Sequence, residues 1–342
     1  MSVRRVQLTG KSTLIVSLPK KWTKKNGLKK GDSLMIKETK DGSLRIAPSQ
    51  TELRSEQTLE SEIKITEGIL PETLSRKIIS HYLTGYDIIK IFSDEKSLIG
   101  ISHRNTIRET VHDLIGLEIT EQTTREIMIQ SLLDYTKFPI SNVIQKMRNI
   151  AISMQKDSIN ALITGDLPLA RDVIIRDLEV DRLYLLAVKQ LKDMIRREEI
   201  AKMMDVNVRA CLGYRVAVKC IERIADHSER IARNTIMLGE LDLPKPIERD
   251  LVEMNRLACE VHTKAISALL TANEIEAETT IILMKSIEEI EKEIVSKLVK
   301  EHFDSHETIC SIKSITDSLR RTADYGTDVA EIALNLAAGE PI

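Results

Sequence analysis

Aromatic side chains are scarce in this sequence, with one Trp, three Phe and six Tyr among 342 residues. Most of its apolar content comes from Ile, Leu, Met and Ala instead, and such a composition favours helices that pack through aliphatic side chains. The chain is long for a single hydrophobic core, so two or three domains are expected.

Cysteines and long apolar runs are also few. The four cysteines show no C-x-x-C spacing, and in a chain of this size they are typical of reduced, buried cysteines in a cytoplasmic protein. No apolar run approaches about 18 residues, so no membrane span is expected. The first ten residues also lack the apolar stretch of a signal peptide. A cytoplasmic protein is therefore predicted.

Acidic residues are missing from the first 31 positions, which contain nine of the 50 basic residues and none of the 52 acidic ones. A cationic N-terminus on an otherwise anionic chain favours a polyanionic partner for that segment alone. A solvated basic surface is the alternative. The 1–50 segment is called the head below.

A complete phosphate-binding loop is absent, although Gly10-Lys11-Ser12 looks like the end of one. The motif needs a glycine where Arg5 stands and a helix directly after the lysine. The β-branched run 13–18 predicts a strand instead, so Gly10 and Lys11 are expected in a turn between strands 3–9 and 13–18. Since no Ser/His/Asp or Cys/His set is visible either, an enzyme is not expected.

The rest of the head predicts a short helix over 19–27, between a proline and a glycine, and a hairpin of strands 33–38 and 43–48. Residues 3–48 resemble the AbrB/SpoVT swapped-hairpin family of DNA-binding domains. The matching segments are Gly10-Lys11, Leu18-Pro19-Lys20, Asn26-Gly27-Leu28 and Lys30-Gly31-Asp32. The resemblance implies a homodimer with interleaved hairpins, and about 50 residues bury too little apolar surface to fold alone.

DNA is the partner that this resemblance implies for the head. The family's arginine-rich pattern is weaker in 14–16, so contacts to phosphates are expected rather than base reading. The candidate DNA-binding residues are Arg4, Arg5, Lys11, Lys20, Lys21 and Lys24.

The middle of the chain predicts a polar linker over 51–61 and a small α/β domain over 62–133 in the order β-α-β-α-β-β. From residue 141 onwards only helical periodicity is present. The predicted helices span 141–164, 168–196, 199–239, 246–272, 274–304 and 306–338.

These helices form two sequence repeats. "NALITGDLPLARDVI" from Asn160 is similar to "SALLTANEIEAETTI" from Ser267, and "IERIADHSERIA" from Ile221 is similar to "LRRTADYGTDVA" from Leu319. Two homologous three-helix bundles, 138–240 and 246–338, account for the repeat. The two offsets, 107 and 98, place a nine-residue length difference between the second and third helices.

Carboxylates four residues apart recur in the first bundle, as Asp177 with Asp181 and Glu222 with Asp226. Such like-charge pairs cost a few tenths of a kcal/mol each on an isolated helix, roughly, unless cations offset them. Oxygen ligands suit Mg, Ca, Mn or Fe ions. The alternative is a solvated face paired with nearby arginines, namely Arg176, Arg182, Arg223 and Arg230.

Residues 138–338 resemble the PhoU family of tandem three-helix bundles. The resemblance rests on "VIIRDLEVDRL" and "IERIADHSERIARN", which are similar to the family's paired E/D-x-x-x-D motifs. It implies a metal cluster of Fe, Mn, Mg or Zn ions on Asp177, Asp181, Glu222 and Asp226. The second bundle matches these positions with Met284, Glu288, Arg320 and Asp324. Only Glu288 and Asp324 remain as ligands, so a weaker site and an ion pair with Arg320 are expected there.

The expected fold is therefore mainly α with a β-rich N-terminus: a swapped-hairpin AbrB-like domain, a small α/β layer and two tandem PhoU-like bundles. The two resemblances, a combination typical of archaea, imply a cytoplasmic DNA-binding regulator of phosphate uptake that senses metal, transporter or phosphate status. The alternative is an adaptor that dimerises through the head, does not bind DNA, and regulates a phosphate ABC transporter.

Overall fold

The computed structural model describes residues 3–10, 12–38, 42–48, 58–66, 68–94, 97–135, 137–239, 243–300, 303 and 306–339. It divides after Leu59 into two compact units. The first unit contains β1 (Gln7–Thr9), β2 (Thr13–Ile15), α1 (Lys20–Lys25), β3 (Leu34–Glu38) and β4 (Leu44–Pro48). The predicted order β-β-α-β-β is confirmed.

The first two strands are shorter than the predicted ranges 3–9 and 13–18. Among the described residues they pair with each other alone, from Gln7 opposite Ile15 to Thr9 opposite Thr13, so neither has a further described neighbour to extend its ladder. Gly10 follows β1 with a φ of 70°, a left-handed conformation that glycine adopts without steric cost. The glycine therefore serves a turn between strands, as expected.

The second unit opens with an α/β layer. Its elements are β5 (Glu60–Ile65), α2 (Pro71–Thr84), β6 (Ile88–Ser93), α3 (Ile101–Asp113), β7 (Leu117–Gln122) and β8 (Glu126–Ser131). β5 and β6 are parallel, and β8 lies antiparallel between β6 and β7. The predicted linker 51–61 was too long at its end, because β5 already pairs with β6 at Glu60; residues 51–57 lie outside the described ones.

One face of this sheet is buried. Side chains alternate along the strands, so Ile89 and Ile91 of β6 and Ile127 of β8 all point to the same face and are at most 1% exposed. They form one core with Leu74 of α2 and Ile107 of α3. The two helices therefore cover this side of the sheet.

The helical body follows, and its element order confirms the predicted bundles. The first bundle consists of α4 (Ile140–Thr164), α5 (Leu167–Arg196), the short α6 (Glu198–Met203) and α7 (Ala210–Leu238). The second consists of α8 (Lys245–Thr271), α9 (Glu274–Ile282), α10 (Met284–Lys300) and α11 (His306–Ala337). α7 packs against both α5 and α11, so the bundles share a helix–helix contact.

Two of the predicted helices are interrupted, which corrects the ranges 199–239 and 274–304. In the first, the chain leaves the helix after Met203, and Asp205 has a φ of 53°. In the second, the amide of Leu283 donates to Thr280, three residues back, at 3.2 Å, and α10 begins anew at Met284. The connection 197–209 between α5 and α7, which contains α6, lies where the repeats place the nine-residue length difference.

The α/β layer is joined to the first bundle through α5. Lys189 and Asp193 of this helix are only 1% and 2% exposed, and the Lys189 ammonium lies 5.2 Å from the ring centroid of Tyr82 in α2. Tyr135 donates a hydrogen bond to Asp193. A buried ionic network thus lies where α2 meets α5.

Within the described ranges, no helix combines the length and the apolar character needed to cross a membrane.

A candidate metal centre and a basic head

Three of the four predicted metal ligands converge between α5 and α7. Oxygen atoms of Asp181, Glu222 and Asp226 all lie within 4.8 Å of one another. The i, i+4 spacing puts Glu222 and Asp226 on one face of α7, and the packing of α5 against α7 brings Asp181 to that face. Three carboxylates at this separation match the hard oxygen donor set of a divalent cation.

Asp177 lies one turn before Asp181 on α5. Its Oδ1 atom is buried and has no hydrogen-bond partner among the described residues. A buried carboxylate oxygen without a donor is unfavourable, so this atom is a candidate ligand that is not engaged within the protein.

Three carboxyl groups of this face, those of Asp177, Asp181 and Asp226, resist ionisation. Burial, followed by the charges of Asp181 and Asp226, raises the pKa of Asp177 to about 7. Burial and the charge of Glu222 raise the pKa of Asp226 to about 6, although Lys219 offsets part of the rise. The pKa of Asp181 is raised for the same reasons. A cation held between the carboxylates would remove this repulsion.

The sequence analysis missed Lys219, which contacts both carboxylate oxygens of Glu222. Its ammonium also lies 5.0 Å from the ring centroid of Tyr184. Lys219 precedes Glu222 by three positions, and this spacing could have identified the pair. Lys219 is therefore the counter-ion with which a metal would compete for Glu222.

Two of the four arginines of the alternative interpretation, Arg176 and Arg182, are engaged elsewhere. Arg176 pairs with Asp157 at 2.7 Å and with Asp172 at 2.8 Å. Arg182 donates to the carbonyl of His112 at 2.9 Å. Within the described part of the chain, no arginine forms an ion pair with the four predicted ligands, which are Asp177, Asp181, Glu222 and Asp226.

The corresponding place in the second bundle contains the ion pair expected for Arg320. Its guanidinium contacts Glu288 and Asp324 at 2.9 Å each, and Glu291 at 3.6 Å. The guanidinium of Arg320 therefore pairs with both of the weaker candidate ligands, Glu288 and Asp324. Arg320 thus occupies the position that a cation would take.

The predicted DNA-binding side chains of the head face solvent. Arg4 and Arg5 precede β1, and Lys20, Lys21 and Lys24 lie on α1; all five are exposed. Lys11 lies outside the described residues. Such exposed cations can contact a polyanion without first breaking ion pairs.

Comparison with known protein families bears on both parts of the chain. A family model described as "PhoU domain" matches residues 144–235 and 251–333, once in each helical bundle. The chain belongs to the PhoU family. A second model, described as "Antidote-toxin recognition MazE, bacterial antitoxin", matches residues 7–54 of this PhoU-family chain. The resemblance of the head to the AbrB/SpoVT family and that of the body to the PhoU family are confirmed.

Relatives with assigned names match the helical body. A phosphate-specific transport system accessory protein, a PhoU homolog from Rhizobium meliloti, is 21% identical over 215 residues, 62% of this chain and 89% of its own length. The crystal structure of PhoU from Pseudomonas aeruginosa superposes with a TM-score of 0.54 at 20% identity, covering 60% of this chain and all of that one. For the phosphate transport system regulatory protein PhoU from Streptococcus pneumoniae the TM-score is 0.51 at 17% identity, with 59% and 95% covered. These likenesses confirm the fold.

Proposed function

We propose that this PhoU-family chain is a cytoplasmic regulator of phosphate uptake, which binds DNA as a dimer through the head and senses metal, transporter or phosphate status through the body. The phosphate-transport role is supported by the names of its relatives, an accessory protein and a regulatory protein of phosphate transport. The DNA role is supported by the MazE-like head and its exposed basic residues.

The observation that carries the dimer is the lack of a core in the head. No described residue of 3–48 is buried, and large apolar side chains are open to solvent there: Val6, Leu8, Leu14, Ile36 and Leu44 are each at least 60% exposed. A globular domain needs to remove such side chains from water. A second copy of the same head would cover them, since the hairpins of two chains interleave in the AbrB/SpoVT family that the head resembles.

DNA binding is tested by charge reversal on α1. Replacing Lys20, Lys21 and Lys24 with Glu should abolish binding to duplex DNA in a fluorescence titration, and binding by the wild type should weaken steeply with salt. Lys245→Glu with Arg249→Glu on α8 is a control outside the head. Unchanged affinity in the α1 variant would contradict the DNA role and favour the adaptor, in which the head only dimerises the chain and the body regulates a phosphate ABC transporter.

Phosphate dependence is tested in cells. Genome-wide occupancy of DNA by the chain should differ between phosphate-rich and phosphate-starved cultures. Occupancy that is equal in both would leave a DNA-binding protein without the proposed sensing role.

The metal role is a further part of the proposal. Asp177, Asp181, Glu222 and Asp226 fit a divalent cation such as Fe, Mn, Mg or Zn. Asp181, Glu222 and Asp226 offer convergent oxygen atoms, and Asp177 offers a buried oxygen without a donor among the described residues. The pKa values of Asp177, Asp181 and Asp226 are raised by burial and by neighbouring carboxylates. A bound ion would supply positive charge that holds α5 and α7 together.

The two bundles provide a matched comparison for this site. Asp177→Ala with Asp226→Ala should lower the metal content measured by mass spectrometry after incubation with Mn²⁺ or Fe²⁺. Glu288→Ala with Asp324→Ala should leave it unchanged, because Arg320 already neutralises that place. Loss of metal in the second variant alone would show that the repeats are wrongly aligned, and absence of uptake by the wild type would contradict the site.

A further inference from the structure

A cavity of about 480 Å³ lies between α7 of the first bundle and α11 of the second. Cationic side chains line it from both helices: Arg230 from α7, and Lys313 and Arg321 from α11. The hydroxyl groups of Ser314 and Ser318 also line it. None of these residues belongs to the carboxylate face or to the head.

Cationic side chains outnumber carboxylates in the described lining of this cavity. Asp317 is the carboxylate among the described lining residues, and it pairs with Lys313, which also lies 3.9 Å from Glu291 outside the lining. Arg321 contacts Asp324, outside the lining, at 3.2 Å. Arg230 has no side-chain partner among the described residues. Three cations and one carboxylate leave a surplus of positive charge at the lining.

The side chain of His227 is also exposed to this excess of positive charge. It lines the cavity, and its Nδ1 atom is buried without a hydrogen-bond partner in the described part of the chain. Burial, then the charges of Arg230, Arg321 and Arg223, lowers the pKa of His227 to about 4. An anion in the cavity would offset the repulsion that keeps this imidazole neutral.

A second cavity differs in the pairing of its arginine. It measures about 460 Å³ and is lined by Lys156, Arg256 and Lys264 together with Glu260. There Arg256 pairs with Glu253 at 2.8 Å and with Glu260 at 3.1 Å, and Lys264 pairs with Glu260 at 2.6 Å. The arginine of this lining therefore has two carboxylate partners, whereas Arg230 has none among the described residues.

We propose that the cavity between α7 and α11 binds the phosphoryl group of a small molecule through Arg230, Lys313 and Arg321. Guanidinium groups match the oxygens of a phosphoryl dianion in charge and in fork geometry, and serine hydroxyls can donate to the remaining oxygens. The volume lies in the range of small-molecule pockets, roughly 300–1,000 Å³, so it holds free phosphate or a phosphate monoester. Because the two helices come from different bundles, the ligand would bridge them.

Calorimetric titration of the full chain with inorganic phosphate, glycerol phosphate, a nucleoside monophosphate and succinate tests this. We expect a phosphoryl compound to bind and the dicarboxylate to bind at least about tenfold more weakly. Arg230→Gln with Arg321→Gln should weaken binding about tenfold or more, since each loses a charge-assisted hydrogen bond. Arg256→Gln with Lys264→Gln, in the second cavity, is the matched control.

A substitution that should tighten binding provides a control for misfolding of the arginine variant. Asp317→Asn removes the lining carboxylate and frees Lys313, so it should tighten binding about threefold or more. Tighter binding of the monoester than of free phosphate identifies an esterified ligand, and the reverse identifies the ion. No binding of either, equal binding of succinate, or binding unaffected by all these substitutions would overturn the assignment. The use of the cavity in sensing rests on the proposed function. Binding of a phosphoryl compound, measured in the absence of DNA, is independent of it.

Discussion

At the scale of single residues, buried histidine gives the clearest dependence on pH. His262 on α8 is 1% exposed; its Nε2 donates to the carbonyl of Thr322 at 2.8 Å. Burial lowers its pKa to about 4, from 6.5 in the unfolded chain. The unfolded state therefore binds a proton at higher pH than the native state, and this contribution to stability is lost as the pH falls from about 6.5 to about 4.

His262→Gln should reduce that pH dependence. From pH 7 to pH 5 the histidine should cost the wild type about 2 kcal/mol of unfolding free energy, at about 1.4 kcal/mol per pH unit. Over the same pH range, the unfolding free energy of the variant should fall by about 2 kcal/mol less than that of the wild type. Urea unfolding measures both, and the comparison holds even if the variant is less stable at pH 7. The carboxyl groups of Asp177 and Asp226, whose pKa values are raised, act in the opposite direction in both proteins. Identical slopes would show that the native state does not lower the pKa of this imidazole.

Two glycines that end helices make a second residue-scale comparison. Gly85 after α2 and Gly165 after α4 have φ values of 90° and 68°. A Cβ at Gly165 would meet nothing within 4 Å, whereas one at Gly85 would lie 2.7 Å from Oδ1 of Asp193. Gly165→Ala should cost about 1 kcal/mol for the left-handed backbone alone. Gly85→Ala should cost about 2–3 kcal/mol, measured by thermal unfolding. Equal losses of stability in the two variants would mean that Asp193 moves to make room for the added Cβ atom.

At the scale of elements, α5 carries the buried ionic network at the junction with α2. Asp193 accepts from Tyr135 and pairs with Lys189 at 3.5 Å and Arg196 at 3.0 Å. Asp193→Ala leaves the buried ammonium of Lys189 unpaired, and breaking such a pair costs about 3–5 kcal/mol.

Lys189→Met should cost less than Asp193→Ala, because Asp193 keeps Tyr135 and Arg196 as partners. The double replacement Lys189→Met with Asp193→Leu should recover part of the loss, since no unpaired charge stays buried. Denaturant unfolding of the three variants measures the order. A double variant that is no better than Asp193→Ala would assign the loss to packing rather than to charge.

Element boundaries also show how far the sequence could predict this structure. Periodicity and caps identified the helices of both bundles, and the i, i+4 spacing identified the carboxylate face. The break after α6 was missed because Met203, Met204, Val206 and Val208 continue an apolar pattern through the turn. Sequence periodicity does not indicate a helix break at Asp205 when the flanking residues are apolar on both sides.

The cavity between α7 and α11 could not be predicted from spacing at all. Arg230 and Arg321 are 91 positions apart and lie in different repeats. Their approach depends on how one bundle packs against the other, which is a tertiary contact. By contrast, the pairing of Arg320 with Asp324 followed from the alignment of the repeats, because it is local to one helix.

At the scale of the whole molecule, deletion of residues 1–50 tests where the chain self-associates. We expect the full chain to sediment as a dimer and the truncated chain as a monomer, because the exposed apolar side chains of the head are removed with it. Leu14→Ser with Leu44→Ser is a milder variant that should weaken association without removing the basic residues. A truncated chain that dimerises as tightly would place the main contact in the body.

Under the proposed DNA role, the coreless head has a consequence for gene control. If each head folds only against a second copy, the DNA-binding form appears with the square of the chain's concentration while most copies are single. Halving the number of copies in a cell would then lower that form about fourfold, so protein abundance itself becomes a threshold for repression or activation. Titration of labelled DNA at increasing protein concentration should give a sigmoidal curve for the wild type and a hyperbolic one for heads covalently joined in pairs.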